Sequence, residues 1–442
     1  MNDVFDWIVI GSGPAGQRAA VQAAKLKKKT LIVEREDWGG GCVHKGTIPS
    51  KTLKEAALNN DARLENAWEK IRLRKDRVLR NEAEIIAHQL DRNGVSRVRG
   101  EAIFVDPHVV QVGDHLYQGT KFLVATGTRP CHGTDFPWEL SDLYDSDTIL
   151  EMKESPEALL VLGAGVIGCE YASIFARLGV DVALVDRRKE LLRNVDEELV
   201  ESLRTHFSEM RIRLELGVDF SRLRQGPAGR GVELEIDGHL RRFSAALVCL
   251  GRQGNVEALG LSSLGVVVSD RGIISVNRDY QTNLAHIYAA GDVIGPPALA
   301  ASSSEQGRLA ARHAFGLQSE PFSELFPYGI YTIPEISSVG AQESELQKAQ
   351  KPYVVGRARY SELARGQILG DEHGLLKILV SREDGRVLGV HILGTGATEL
   401  IHIGQTAMHF QAKVDFFVSN IFNYPTLAEA YKVAALNALN QL

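Results

Sequence analysis

Residues 6 to 35 read DWIVIGSGPAGQRAAVQAAKLKKKTLIVER. An apolar run, Trp7 to Ile10, leads into Gly11-Ser12-Gly13-Pro14-Ala15-Gly16. A stretch rich in alanine follows, then a second apolar run that ends on Glu34. This order predicts strand, glycine turn, helix, strand and acid, which is one βαβ unit. The glycines let the backbone approach a pyrophosphate closely, and the start of the helix offers free N–H groups at the positive end of its dipole. Glu34 stands 18 residues beyond Gly16, near the ~20 expected of an acid that binds a ribose. A lone GxGxxG says little. With strand, helix and acid all in place, it predicts a dinucleotide site built on Gly11, Gly13, Gly16 and Glu34.

The unit is written twice. Residues 159 to 188 read LLVLGAGVIGCEYASIFARLGVDVALVDRR, with Gly163, Gly165 and Gly168 in the turn and Asp186 again 18 residues on. Two nucleotide sites in one chain imply that one dinucleotide reduces the other. Asp186 suits a 2′-hydroxyl and hence NAD. Arg187 and Arg188 suit a 2′-phosphate and hence NADP, although either arginine is equally readable as solvated.

The rest of the chain is consistent with a globular protein of about three domains, at a prior of roughly 150 residues each over 442 residues. Residues 52 to 90 contain neither Gly nor Pro and predict long helices with charged outer faces. Residues 95 to 124 predict short strands, 145 to 157 a polar connection, and QGPAGRG at 225 to 231 a hairpin tip. IYAAGDVIG at 287 to 295 predicts a further strand and glycine turn. From about 325 the pattern predicts a separate α+β unit, with SREDG turning between strands and Thr426-Leu-Ala-Glu429 as a capping box for the last helix. Net charge is −6, which offers nothing to nucleic acid or to an anionic membrane. No apolar run reaches the ~18 residues of a membrane span, and the acidic N-terminus reads as a strand rather than a signal peptide. Four cysteines in this length make no disulfide scaffold and suit a reducing cytoplasm. No cluster of His, Cys and Asp shows metal-ligand spacing, so no metal is expected.

A third motif is GGGCVHKGTIPSK, residues 39 to 51. Here the chain resembles the flavin-dependent pyridine nucleotide–disulfide oxidoreductases, the group of dihydrolipoamide dehydrogenase and glutathione reductase. The resemblance runs nearly end to end, through both glycine fingerprints, Ala125-Thr126-Gly127, Ala290-Gly291-Asp292 and Tyr331-Thr-Ile-Pro334. It implies an α/β protein with two Rossmann-like domains: FAD-binding over 1–150 and 275–324, and NAD(P)-binding over 151–274. A C-terminal α+β dimerisation domain over 325–442 would complete a homodimer. Members of that family carry C-x4-C beside the flavin and a C-terminal His before Pro-Thr. This chain has Cys42 with Thr47, and Tyr424 before Pro425-Thr426. Thiol–disulfide cycling is therefore not expected, and a tyrosine of ordinary pKa near 10 is a poor base at neutral pH.

Losing both halves of that machinery resembles one branch, the flavin-containing soluble NAD(P) transhydrogenases. GVIGCEYASIF (165–175), GIYTIPEISSVG (329–340), ELIHIGQ (399–405) and FNYPTLAEAYKVAALN (422–437) carry that likeness. It implies Si-specific hydride transfer from NADPH to NAD by way of FAD, in a ping-pong cycle through one nicotinamide site. Lys51 and Glu170 match the ion pair beside the flavin, and Lys51 would stabilise the charge on the reduced ring. Gly127 and Asp292 match FAD-binding positions. An NAD(P)H oxidase or quinone reductase shares every one of these motifs, and a non-catalytic flavoprotein that senses NAD(P)H is a further reading. His44 and His402 read as packing residues. Cys131, Cys169 and Cys249 read as small buried hydrophobes.

Overall fold

The computed structural model describes residues 4–59, 67–318 and 321–442. The first apolar run is the strand Val4–Ile10, followed by α1 (Pro14–Lys25) and the strand Thr30–Glu34, as the fingerprint predicts. These strands pair in parallel, with Ser96–Arg99 outside Thr30–Glu34 and His115–Val124 on the other flank of Val4–Ile10. Val109–Val112 and Ala102–Asp106 extend the sheet antiparallel, and Ile287–Ala289 returns from far along the chain to pair in parallel with residues 122 to 124. The central parallel strands Val4–Ile10 and Thr30–Glu34 are largely apolar because both faces are covered. Every residue of Thr30–Glu34 is buried.

After Thr30–Glu34 the third motif forms α2 (Gly40–His44) and opens α3 (Thr47–Asn59), and α4 (Ala67–Arg92) follows. The long helices expected over 52 to 90 are present, apart from 60 to 66, which lie outside the described residues. Helix α4 buries only Ile71, Lys75, Ile86 and Leu90. The segment 145 to 157 is more than a polar connection: Ile149, Leu150 and Met152 are buried with Leu53 and Ile71, and the Leu150 carbonyl accepts from Lys75 Nζ at 2.9 Å.

The second fingerprint forms α5 (Val166–Arg177) between the strands Ala158–Leu162 and Asp181–Asp186. Their sheet is parallel throughout, in the order Arg213–Leu216, Asp181–Asp186, Ala158–Leu162, Ala245–Val248, Leu143–Tyr144. Helix α6 (Glu197–Glu209) covers one side, opened by Asp196, which accepts from the Glu198 N–H at 3.1 Å. The hairpin expected at 225 to 231 joins Phe220–Gln225 to Val232–Ile236 in a separate three-stranded sheet. Helix α7 (Ala300–Ala314) packs on α1, and a Cβ on Gly307 would lie 2.1 Å from the Ala15 carbonyl oxygen. Only small residues on both helices permit that approach.

The C-terminal part is a five-stranded antiparallel sheet, ordered Tyr328–Ile330, Ile336–Gly340, Val387–Leu393, Leu375–Ser381, Tyr353–Arg359. SREDG turns between the third and fourth of these, as expected. The capping box at Thr426 is only half made. Glu429 Oε2 accepts from the Thr426 N–H at 3.4 Å, but the threonine hydroxyl donates to Asn423, and the helix Glu429–Leu439 begins later than the motif implied. A complete capping box stands instead at Gln342 and Glu345.

Helix α6 meets this sheet through a buried charge cluster. Lys377, with a side chain 2% exposed, reaches Asp196 at 2.9 Å, Glu198 at 3.1 Å and Glu343. Burial alone would lower its pKa, but hydrogen bonds to Glu343 and Asp196 outweigh that and raise it. Replacing Lys377 by Ala would leave buried carboxylates uncompensated, and the expected loss is about 3 kcal/mol. Urea unfolding followed by far-UV circular dichroism measures it, and an unchanged midpoint would contradict this account of the seam.

Candidate functional site

The two glycine turns are built alike. Gly11 sits at φ +101° with a would-be Cβ 2.4 Å from the Ala125 carbonyl oxygen, and Gly163 sits at φ +112° with one 2.6 Å from that of Cys249. Only glycine tolerates both the sign of φ and the approach. A Cβ on Gly16 would lie 1.9 Å from Gly11 O, and one on Gly168 1.9 Å from Gly163 O. These glycines seat the helix on its own turn. Among the described residues, nothing lies within 4 Å of the same position at Gly13 and Gly165, the residues capping α1 and α5. That open side is where a phosphate can approach.

The acids are also alike. Glu34 Oε2 accepts from the Ser12 N–H at 2.8 Å and hydroxyl at 2.7 Å, and Oε1 accepts from the Glu36 N–H at 3.0 Å. Asp186 Oδ2 accepts from the Ala164 N–H at 2.8 Å and Oδ1 from the Arg188 N–H at 2.8 Å. The Arg188 guanidinium folds back on the same carboxylate, at 2.9 Å. Burial acts to raise the Asp186 pKa, but hydrogen bonds from Arg188 and Ala164 hold it below the ordinary value. Arg187 turns away, donating to Phe220 O at 2.8 Å with its guanidinium over the Phe220 ring.

A cleft of about 850 Å³ runs from the first turn to the meeting of the three large sheets. Gly11, Gly13, Glu34, Gly127, Asp292 and the pair Lys51–Glu170 line it; Gly16, Gly163, Gly165, Gly168, Asp186, Arg187 and Arg188 lie off it. Val166 and Ile167, the first residues of α5, open onto the same cleft. Lys51 Nζ donates to Glu170 Oε2 at 2.7 Å and stands 4.7 Å from the centre of the Tyr331 ring. Glu170 Oε1 accepts from the Tyr331 N–H at 2.9 Å. The spacing of 119 residues between Lys51 and Glu170 holds no periodic signal that joins them.

Cys42 and Thr47 are neighbours on the cleft lining. Burial, the largest influence, pushes the Cys42 thiol above its ordinary pKa, and the Thr47 contact does not reverse this. All four cysteines are free. Cys169 is fully buried as expected, whereas Cys131 and Cys249 are only partly so. His44 bonds the Trp38 carbonyl, a packing role. His402 bonds Gln405 and also borders the cleft. Burial raises the Asp292 pKa, against the opposing pull of Arg252 and a Ser303 hydrogen bond. Arg252 escaped the sequence reading. It lines the cleft, donates to the Thr128 carbonyl at 2.8 Å and to Ser146 Oγ at 3.1 Å, and faces Asp292.

Residues 5–307 match the model of the pyridine nucleotide-disulphide oxidoreductases, and residues 326–435 match the dimerisation domain of the same family. The chain belongs to that family. It is similar to a soluble pyridine nucleotide transhydrogenase of Mycobacterium bovis (strain BCG / Pasteur 1173P2), 45% identical, with 99% of this chain and 98% of that one covered. A second protein of that name, from Photobacterium profundum, is 41% identical over 99% and 98% of the two chains. Among solved structures, the HOCl-induced flavoprotein disulfide reductase RclA from Escherichia coli superposes with a TM-score of 0.92 at 25% identity, over 98% of this chain and 99% of that one. The family's fold is thus present, with an α/β body and a dimerisation domain that supports a homodimer.

Against the disulfide in the family's name, the thiol here is single and held protonated. Alkylation of Cys42 by iodoacetamide should stay slow at pH 7 to 8 and accelerate only above about pH 9, since the thiolate is the nucleophile. Mass spectrometry of the modified peptide, with denatured protein as reference, reads the rate. Fast labelling at pH 7 would show an activated thiol.

Proposed function

We propose that this chain is an FAD-dependent NAD(P) transhydrogenase, which moves hydride from NADPH to NAD without a redox disulfide. The observation that carries the reading is the cleft itself: Lys51 paired with Glu170 lies beside the first residues of the second fingerprint helix, while Cys42 faces Thr47. The names of the relatives, soluble pyridine nucleotide transhydrogenase, support it.

The residues present fit FAD. Gly13 leaves an open approach to the N-terminus of α1, Glu34 is fixed for a ribose by Ser12, and Asp292 lies in the same cleft. When bound there, FAD supplies a ring that accepts a hydride from one nicotinamide and returns it to another. Gly11, Gly13, Glu34, Gly127 and Asp292 would hold it, with Gly16 seating α1 on the turn. Burial raises the Asp292 pKa against the pull of Arg252, and this carboxyl would hydrogen-bond the cofactor from the cleft wall. Lys51 places a cation at the inner end of the cleft, where charge develops during transfer. Glu170 holds that ammonium in place and is itself held by the Tyr331 amide.

The second site, on Gly163, Gly165, Gly168 and Asp186, takes both nicotinamide nucleotides in turn. Asp186 serves the 2′-hydroxyl of NAD, and Arg188, released from that carboxylate, or Arg187 serves the 2′-phosphate of NADP. The Si-specific course of transfer rests on the resemblance. We assign residues 1–150 and 275–324 to FAD, 151–274 to NAD(P) and 325–442 to the dimer. The exposed Ile421 and Tyr424 lie in the matched dimerisation segment. Among the described residues no helix is long and apolar enough to cross a membrane. We place the protein in the cytoplasm, in keeping with the word soluble in the relatives' names.

Stopped-flow absorbance without oxygen tests the proposal. NADPH should bleach the flavin, and NAD added afterwards should restore it. A flavin that NADPH leaves oxidised would refute the reading, and reoxidation by oxygen or quinone but not NAD would shift it to an oxidase. Lys51→Ala should slow flavin reduction by roughly a hundredfold, the scale of ~3 kcal/mol for one preorganised charge. Cys42→Ser should stay within a few-fold of the parent, because no step uses the thiol. Replacing Arg187 and Arg188 together by Ala should weaken NADPH by about 1.5–3 kcal/mol and NADH less. Equal losses in a binding titration would remove the arginines from the discrimination.

A further inference from the structure

Sequence spacing showed no metal ligands, yet folding brings His206, Glu209 and His373 together, with ligand atoms all within 4.8 Å of one another. His206 and Glu209 lie at i and i+3 on α6 and so share a face. Glu209 Oε2 is 3.9 Å from His206 Nδ1 and 2.6 Å from His373 Nε2. The two imidazoles cross edge to face, with centres 4.8 Å apart. His206 Nδ1 is buried and has no hydrogen-bond partner among the described residues, a condition that native structures rarely leave unanswered. His373 is not a free arm. It stands in the short loop between the helix Ala364–Leu369 and the strand Leu375–Ser381. Asp371 shapes that loop, accepting from the Gly374 N–H at 2.9 Å and the Thr395 N–H at 2.6 Å.

We propose that His206, Glu209 and His373 form a zinc-type divalent metal site that pins α6 to the C-terminal sheet. Two imidazoles and one carboxylate suit zinc and its transition-metal neighbours, whereas magnesium and calcium prefer oxygen alone. Ligands about 2.0–2.1 Å from a tetrahedral ion stand ~3.3 Å from each other. The 3.9 Å separation must therefore close and the 2.6 Å one open, each by less than about 1 Å, and the two imidazole nitrogens, within 4.8 Å of each other, must close by up to about 1.5 Å. Three protein ligands leave the fourth position to water. None of the three lines the nucleotide cleft, so the ion is a clamp rather than part of the hydride path. At its first turn α6 is already tied to the same sheet, through Asp196 and Glu198 on Lys377. The metal would tie its last turn as well.

The test uses the full-length, FAD-loaded protein stripped with EDTA and titrated with zinc chloride. Equilibrium dialysis should find one zinc per chain, and zinc should raise the melting temperature. His206→Ala, His373→Ala and Glu209→Gln should each weaken binding at least about tenfold, the lower end of what even an indirect metal partner is worth, and should lose the thermal shift. Exposed His239→Ala should change neither. Retained FAD absorbance and an unchanged melting temperature in EDTA identify variants that are folded. If His206→Ala fails that check, Glu209→Gln and His373→Ala, which alter the outer rim, carry the result. X-ray absorption should show two imidazoles on the zinc. Failure to bind zinc stoichiometrically, or equal binding and equal thermal shift in the folded variants, would overturn the proposal and leave a plain Glu209–His373 ion pair.

Discussion

The carboxylate of Glu170 is the point on which the rest of the structure converges. It belongs to α5 on the second parallel sheet, takes Lys51 from α3 beside the first sheet, and takes the Tyr331 N–H from the C-terminal unit. Its side chain is 6% exposed, so the pair interacts in a medium far less screening than water. A partner removed here leaves a largely buried charge without its counter-ion. Ser173, one turn along α5, repeats the tie by accepting from the Ile333 N–H at 3.1 Å. Lys54, one turn along α3, reaches Glu335, which in turn receives Thr398. The walls of the cleft thus owe their relative placement to charged and polar groups at its inner end.

That arrangement explains how a disulfide can be lost while the cleft keeps its charge. The cation is anchored by a carboxylate and a ring, not by sulfur. Thr47 fills the place where a second thiol would stand, beside the remaining one. Burial then keeps Cys42 protonated, out of reach of thiolate chemistry at neutral pH. What remains suits exchange of hydride between two-electron carriers, for which a fixed cation and an approachable nucleotide site suffice.

The same logic of distant groups holds α6 against the C-terminal sheet. Lys377 is buried among carboxylates from both sides, and Arg357 reaches Glu198 at 2.7 Å. Buried polar seams of this kind demand full pairing. They favour one docking of the two parts, where an apolar seam would tolerate several.

Local pattern was enough for whatever depends on neighbours in the chain. Both βαβ units, their turn glycines, the acids that end them, the SREDG turn and the hairpin near 225 are legible because 3.6-residue and 2-residue periods and the demand for positive φ are written over a few residues each. The loss of disulfide chemistry was legible too, since it rests on what stands at positions 47 and 424. The capping box at 426 misled because a threonine hydroxyl has more than one carbonyl or amide within reach. Only the tertiary structure decided that Ile149, Leu150 and Met152 are core, that Arg252 faces Asp292, that Tyr331 braces Glu170, and that His206, Glu209 and His373 meet. Those pairings join residues tens to hundreds of positions apart. Their geometry comes from how the sheets pack, which no short-range period encodes.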